Sequence, residues 1–340
     1  MYPPKDHTVL IALSVLAVVI VLGGAAAWFL EPGSAEPRAA PLELPAQWPT
    51  PGGEPLRPVP MPTGEMAAAL PSGTSGQVLC AAVPEQTWAS VLGGPVRQEV
   101  DKNGQCHVVT ATVDASATLW ADPVPMRGTA PEPVTVSGRQ ATVGPFGLNG
   151  YGEILTARLS DATEKWTRSS LQLIVNRVPG ARDEHDFRSM ALSLAGPMIG
   201  AITTPGPALP RTGESREMTP VPGSGIVDAP YPFISWQLCT QLAKALGAPL
   251  DQLKPGPFGS CARENDGTAV SLTYHSEGED YFPDRVAGRP AHDNASGSNV
   301  VVQLLDDSRQ TLEISWIDAT QPRDALRDLA EKVVPPLLGR

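Results

Sequence analysis

The chain has 340 residues, room for two ordinary domains, and carries 37 prolines and 32 glycines. Its 25 Lys and Arg against 36 Asp and Glu leave a formal net charge of −11. That balance repels phosphate backbones and anionic headgroups, so it argues against nucleic acid as a partner and against adhesion to an anionic lipid surface.

Thr8 to Leu30 contains no charged residue. At about 1.5 Å per residue this run crosses a hydrocarbon core of about 30 Å, which predicts one transmembrane helix over 8–30. Trp28 and Phe29 stand at its outer end, where aromatic rings sit at headgroup level. Ala25-Ala26-Ala27 resembles a signal-peptide cleavage site, but the apolar run continues through Leu30, so a retained anchor is the reading and cleavage the alternative. Residues 1–7 then form a cytoplasmic tail, and the remainder is extracytoplasmic in a single-pass protein of the cell membrane.

Residues 31–76 read as a Pro-rich stalk. From Glu31 to Thr63 ten residues are proline, with no helical or strand periodicity among the apolar ones. Two α+β domains follow, expected at 77–202 and 230–340, separated by a Pro/Gly-rich linker at 203–229. The two share an order of elements. Leu79-Cys80, a helical run ending at Leu92-Gly93, and Cys106 are echoed by Leu238-Cys239, a run ending at Leu246-Gly247, and Cys261. Gly138-Arg139-Gln140-Ala141 is echoed by Gly288-Arg289-Pro290-Ala291.

Strand alternation is visible in both copies. His107 to Val113, Tyr151 to Leu159 and the run Leu171, Leu173, Val175 mark the first; Val270, Leu272, Tyr274, then Val300 to Leu305, then Leu312, Ile314, Trp316 mark the second. Short reversals such as Asp306-Asp307-Ser308 favour antiparallel hairpins. Each copy closes on an amphipathic helix, Phe187, Met190, Ala191, Leu194 matching Leu326, Leu329, Ala330, Val333 at i, i+3, i+4 and i+7. The fold class expected is therefore two tandem helix/antiparallel-sheet/helix sandwiches after one transmembrane helix.

Four cysteines permit three pairings. The repeat selects Cys80 with Cys106 and Cys239 with Cys261, because a duplicated unit carries its own crosslink, and such bridges suit an oxidising compartment. With no C-x-x-C spacing, zinc and redox chemistry are not expected. No nucleophile elbow, phosphate loop or dinucleotide fingerprint is present, and no cofactor is called for. The acidic run Ser276 to Asp284, near His275 and His292, lacks the spacing of a calcium loop and reads as surface; Asn294-Ala295-Ser296 is a chance sequon. Arg139 and Arg289, beside their glycines, are the candidate ligand-binding residues, each able to hold a carboxylate or phosphate; the alternative is that each pairs with an acid of its own domain.

The paired pattern of Leu-Cys, helix, Leu-Gly, Cys, strand, Gly-Arg-x-Ala, two strands and a helix resembles an uncharacterised family of actinobacterial envelope domains, found in lipoproteins and single-span membrane proteins. More distantly it is similar to the sensor-type domains outside mycobacterial receptor kinases. No cysteine follows the apolar segment to accept a lipid, so the membrane helix takes that role. The resemblance implies fold and location and no catalytic residues. The function expected is a non-enzymatic, membrane-anchored binding or sensing module whose partner is an unidentified envelope ligand or protein. An accessory structural subunit of an envelope or secretion complex is the runner-up, and a wall-acting hydrolase comes third.

Overall fold

The computed structural model describes residues 52–121, 131–147, 151–160, 167–182, 184–209, 226–275, 281–294, 297–306, 308–316 and 323–338. The expected transmembrane span at 8–30 lies outside them, and among the described residues no helix is long and apolar enough to cross a membrane. Met1–Ala46 and Gln47–Arg340 are separate units, and both sheets with their helices belong to the second.

The fold is α+β, with two antiparallel seven-stranded sheets. The first is built from β1 (Arg97–Val100), β2 (Cys106–Val109), β3 (Val113–Trp120), β4 (Glu132–Val136), β5 (Arg139–Phe146), β6 (Gly152–Arg158) and β7 (Ser170–Arg177), in the order β1-β2-β3-β7-β6-β5-β4. The second runs β8 (Leu253–Gly256), β9 (Ser260–Arg263), β10 (Ala269–Tyr274), β11 (Asp284–Val286), β12 (Arg289–Asp293), β13 (Asn299–Gln303) and β14 (Gln310–Ser315), ordered β8-β9-β10-β14-β13-β12-β11. The orders are the same strand for strand, so the duplication seen in motifs extends to the topology.

One face of each sheet is covered by helices. α1 (Ser72–Ala81), α2 (Glu85–Leu92) and α3 (Phe187–Ile202) accompany the first; α4 (Tyr231–Leu246) and α5 (Arg323–Leu337) accompany the second. In β3 the burial alternates strictly, with Val113, Ala115, Ala117 and Leu119 inward against the helices. Val270, Leu272, Val300, Val302, Leu312 and Ile314 do the same in the second core. The cysteine pairs close as the repeat requires: Cys80 bonds Cys106 and Cys239 bonds Cys261, each with Cα atoms 5.2 Å apart. Each bridge runs from the opening helices to the second strand, because β1 and β8, too short to show a period, precede the cysteine strands.

The Gly-Arg turns are matched in conformation. Ser137-Gly138 and Ala287-Gly288 all have positive φ (49°, 76°, 51° and 74°), and the flanking pairs Val136–Arg139 and Val286–Arg289 face each other, which makes both type I′ hairpins. Two sequence expectations need correction at this level. The alternation from His107 to Val113 crosses a hairpin: the Thr110 hydroxyl accepts from the Val113 amide at 2.9 Å, and β2 and β3 pair antiparallel. The run ending at Leu92-Gly93 is present as α2, opened by Pro84, but a separate helix, α1, which the reading of residues up to 76 as stalk left out, precedes it and carries Cys80, while the counterpart α4 is continuous.

The stalk boundary at residue 76 and the linker boundary at residue 229 also move. Glu54 bridges Val100 in both directions (2.7 and 2.9 Å), Ala67, Ala68 and Ala69 are buried, and α1 starts at Ser72. Ile226, Val227 and Ala229 belong to the second core. Pro-rich chain shows no period because it makes no element of its own; here it is held by long-range contacts instead. Arg57 donates through both Nη atoms to Asp228 at 2.7 and 2.6 Å, and the Gln310 amide donates to Thr74 Oγ1 at 3.0 Å.

α1 is buried over Gly73–Cys80 and is wedged between the halves. A Cβ on Gly73 would meet the Tyr274 ring at 2.8 Å, and one on Gly76 the Gly104 carbonyl at 2.6 Å, so both sites require glycine despite its cost of about 1 kcal/mol within a helix. Nearby, Glu54 Oε1 accepts from the Arg309 amide and lies 2.9 Å from the Tyr274 hydroxyl. Burial pushes the Glu54 carboxyl up, and these partners only partly offset it.

Candidate functional site

Because strand side chains alternate, the residues of the first sheet that do not enter the core share its other, open face. Register places them in cross-strand rows. One row runs Thr118, Gln172, Thr156, Thr142, Pro133 across β3, β7, β6, β5 and β4. Beside it, Trp120 faces Ser170, Ser170 faces Arg158, and Gln140 faces Thr135. A hollow of about 830 Å³ lies over these rows, walled by Thr135, Gln140, Thr142, Thr156, Arg158 and Ser170. Its wall holds hydroxyls, an amide and one guanidinium, and no carboxylate among the described residues.

Two polar atoms of this face lack a partner. Gln172 is 5% exposed and its Nε2 makes no hydrogen bond; Thr156 Oγ1, opposite it, makes none either. A buried polar group left unsatisfied costs about 1–3 kcal/mol, so such a pair over a hollow is a feature that folding alone does not favour.

At the far end of the face the charges are closed off. His107 stands between two carboxylates, Nδ1 3.2 Å from Glu99 Oε1 and Nε2 3.1 Å from Asp114 Oδ1, with Arg97 Nε 3.4 Å from Glu99. Burial alone would lower the imidazole pKa, but its hydrogen bonds to Asp114 and Glu99 raise it to about 9, so it donates through both nitrogens as a cation. Burial likewise opposes ionisation of Glu99, and the His107 bond, the Arg97 and His107 charges and a Gly52 backbone hydrogen bond together outweigh it, leaving that carboxyl below its ordinary range. With both nitrogens engaged, this histidine has no lone pair to offer a nucleophile, and the arrangement acts as an ionic clamp across β1, β2 and β3.

The second sheet carries the same rows with different chemistry. Aligned through the cysteine and Gly-Arg positions, Gln172 corresponds to Glu313 and Thr156 to Val301, while Trp120, Ser170 and Arg158 correspond to Thr273, Thr311 and Gln303. There Glu313 accepts from Asn299 Nδ2 at 2.7 Å, the Thr273 and Thr311 hydroxyls bond at 2.7 Å, and Gln303 Nε2 donates to the Ser308 carbonyl at 3.0 Å. Ala262 takes the place of His107. At the positions matching Gln172 and Thr156 nothing is left unbonded, and among the described residues the unpartnered atom on this face is Asn299 Oδ1.

The residues singled out from sequence lie elsewhere. Arg289 is buried on the core side, where Nε donates to the Gln303 carbonyl at 3.2 Å and Nη1 pairs with Asp306 at 2.9 Å, the partner within its own half that was the alternative to ligand binding. Arg139, partly exposed, borders a separate hollow of about 450 Å³ with Glu65, Ser160, Ile202 and Thr203; position 161, which corresponds to Asp306, lies outside the described residues. Helical C-terminal carbonyls near Ile202 favour a cation there. The structure brings neither arginine to the open face. Cys80 and Cys106 sit in the core of the first sheet and Cys239 and Cys261 in that of the second, each pair joining helix to sheet. Of the acidic run at 276–284, positions 276–280 are outside the described residues, as are positions 295 and 296 of the sequon, and among the described residues no group of His, Cys, Asp and Glu could hold a metal.

Comparison with known proteins finds no family model, no curated protein and no solved structure that matches this chain.

Proposed function

We propose that this chain is a membrane-anchored, extracytoplasmic binding or sensing module of the bacterial cell envelope, without a reaction of its own, and that its ligand lies on the open face of the first sheet. The observation that carries this is the pair of buried, unpartnered polar groups, Gln172 Nε2 and Thr156 Oγ1, of which Thr156 belongs to the wall of an 830 Å³ hollow, set against a matched face on which the corresponding positions are paired or apolar. A ligand supplying acceptors there removes a desolvation cost that the free protein bears.

Two disulfides are consistent with an oxidising, extracytoplasmic setting. The resemblance to actinobacterial envelope domains agrees with that location. The carboxylates Glu99 and Asp114 and the imidazole on the face are locked in the His107 clamp, which favours binding over acid-base chemistry. An accessory subunit calls for a broad apolar patch, whereas the exposed large apolar residues among those described are Leu56, Met61, Trp120, Phe146, Tyr151 and Phe258, of which only Phe146 and Tyr151 share one wall.

Hydrogen exchange on the full chain, with and without a soluble digest of bacterial envelope, tests the reading. Slowed exchange in β6 and β7, with β13 and β14 unchanged, is the expected result. Protection centred on Phe146 and Tyr151 would favour the accessory subunit, and no change anywhere would remove the proposal.

A further inference from the structure

Resting on that reading, we infer that the ligand of the first sheet's open face is a neutral glycan segment, seated along the Thr118–Gln172–Thr156–Thr142 row with one sugar ring against Trp120. The composition of the face narrows the ligand class by elimination. The hollow's described wall carries a single charged residue, Arg158, in a chain of net charge −11, so a polyanion finds too little opposing charge and a polycation finds no carboxylate in the hollow to meet. A lipid tail would desolvate Thr118, Thr142, Thr156 and Gln172 without giving a hydrogen bond back. An extended peptide draws its affinity from main-chain bonds at a sheet edge; of the strands that wall the hollow only β4 has a free edge, and Pro133 interrupts it.

What remains is a ligand that is uncharged, presents closely spaced groups able both to donate and to accept, and has an apolar face of its own. A pyranose has this chemistry: each hydroxyl donates and accepts, and its axial C–H groups make a flat apolar side. The cross-strand row repeats at the strand spacing, about 4.8 Å, and offers hydroxyl, amide, hydroxyl, hydroxyl in succession. Gln172 Nε2 and Thr156 Oγ1 are buried just behind the surface that Thr142, Thr156 and Ser170 give the hollow, and a side-chain rotation that brings either out to a sugar oxygen ends its unbonded state. Trp120, at the end of β3, is 37% exposed and faces Ser170, so an indole stands beside the polar rows and partly in water. The second sheet keeps a hydroxyl, Ser271, for Thr118 but has Thr273 for Trp120, Val301 for Thr156 and a paired Glu313 for Gln172, so only the first half binds sugar.

The full chain, immobilised, is exposed to an array of neutral oligosaccharides (gluco-, manno-, galacto- and N-acetylglucosamine oligomers), an anionic set, and extended peptides. Retention of at least one neutral series is expected, with affinity reduced at least tenfold by Trp120→Ala and by Gln172→Leu combined with Thr156→Val, and unchanged by Ser271→Ala on the second sheet. A melting temperature for each variant separates loss of the site from loss of the fold; should the double variant unfold, Trp120→Ala alone decides. Retention of peptides alone, lost in the double variant, would overturn the glycan while leaving the site in place. Glycan binding indifferent to all the first-sheet variants would overturn both, and an array with nothing retained would overturn the glycan.

Discussion

The two sheets share strand order, register, a turn type and a disulfide, and they differ on the face turned away from the helices. On the second, Asn299–Glu313, Thr273–Thr311 and Gln303–Ser308 close the polar groups on one another. On the first, the corresponding row leaves Gln172 and Thr156 buried without partners, Thr156 at the wall of a hollow, and an ionic clamp with no counterpart holds the opposite end. A duplicated scaffold fixes the core through apolar side chains and a bridge, and those are the parts that both halves keep. The open face lies free of that constraint, so the unmet groups fall at different places: Gln172 Nε2 and Thr156 Oγ1 in the first copy, Asn299 Oδ1 in the second. The difference argues that the second half serves as a brace, packed through α1 and the 52–76 segment, and the first as the working surface.

The crosslinks should produce the largest effect, and the two should be nearly equal. Loops of 26 and 22 residues correspond on the chain-entropy model to about 3.5 kcal/mol each. Cys80→Ala with Cys106→Ala, and Cys239→Ala with Cys261→Ala, should therefore lower unfolding free energy in denaturant titrations by similar amounts. A bridge that mattered in one half only would show that the halves are less alike in stability than in topology.

The clamp separates the halves by pH. A folded pKa of about 9 for His107 against an ordinary 6.5 means its contribution is complete below pH 6.5 and is lost as pH rises through 9, a change of about 3 kcal/mol. Thermal melts between pH 6 and 10 should show the wild type falling over this window and His107→Gln, already lower at pH 6, nearly flat. If the two curves run parallel, the imidazole is not held as a cation. Next in size is the joint between halves: Arg57→Ala leaves Asp228 buried without its bidentate partner and should cost about 2–3 kcal/mol. Calorimetry should resolve one transition into two in this variant. A single unchanged transition would mean that the joint lies elsewhere.

Much of this architecture was legible in the residues. The cysteine spacing, the Gly-Arg turns and the i, i+3, i+4, i+7 stripes ending in Leu194 and Val333 are local signals, and they located both cores. What escaped was non-local. Residues 54–76 have no period and are ordered by partners such as Asp228, Tyr274 and Val100, many tens of residues away; α1, with Gly73 and Gly76 at its centre, has poor intrinsic propensity and forms because both halves press on it. The site was written faintly. Gln172 stands alone in Leu-Gln-Leu-Ile-Val, on the face opposite the core, which marks a polar group in an otherwise apolar strand. Its lack of a partner depends on which residues register brings beside it, and no single strand contains that information.

The smallest effect tests the central claim most directly, because it asks for opposite signs at one position of the repeat. Gln172→Leu removes a buried donor that bonds to nothing, and in ligand-free protein it should leave stability unchanged or raise it by up to about 1 kcal/mol. Glu313→Leu, the matched change, strips Asn299 of its acceptor and should lower stability by about 1 kcal/mol. Unfolding free energies of the two variants measured side by side give the answer: divergence in sign is the expected result, and an equal loss at both positions would mean that the first sheet's open face is as self-contained as the second.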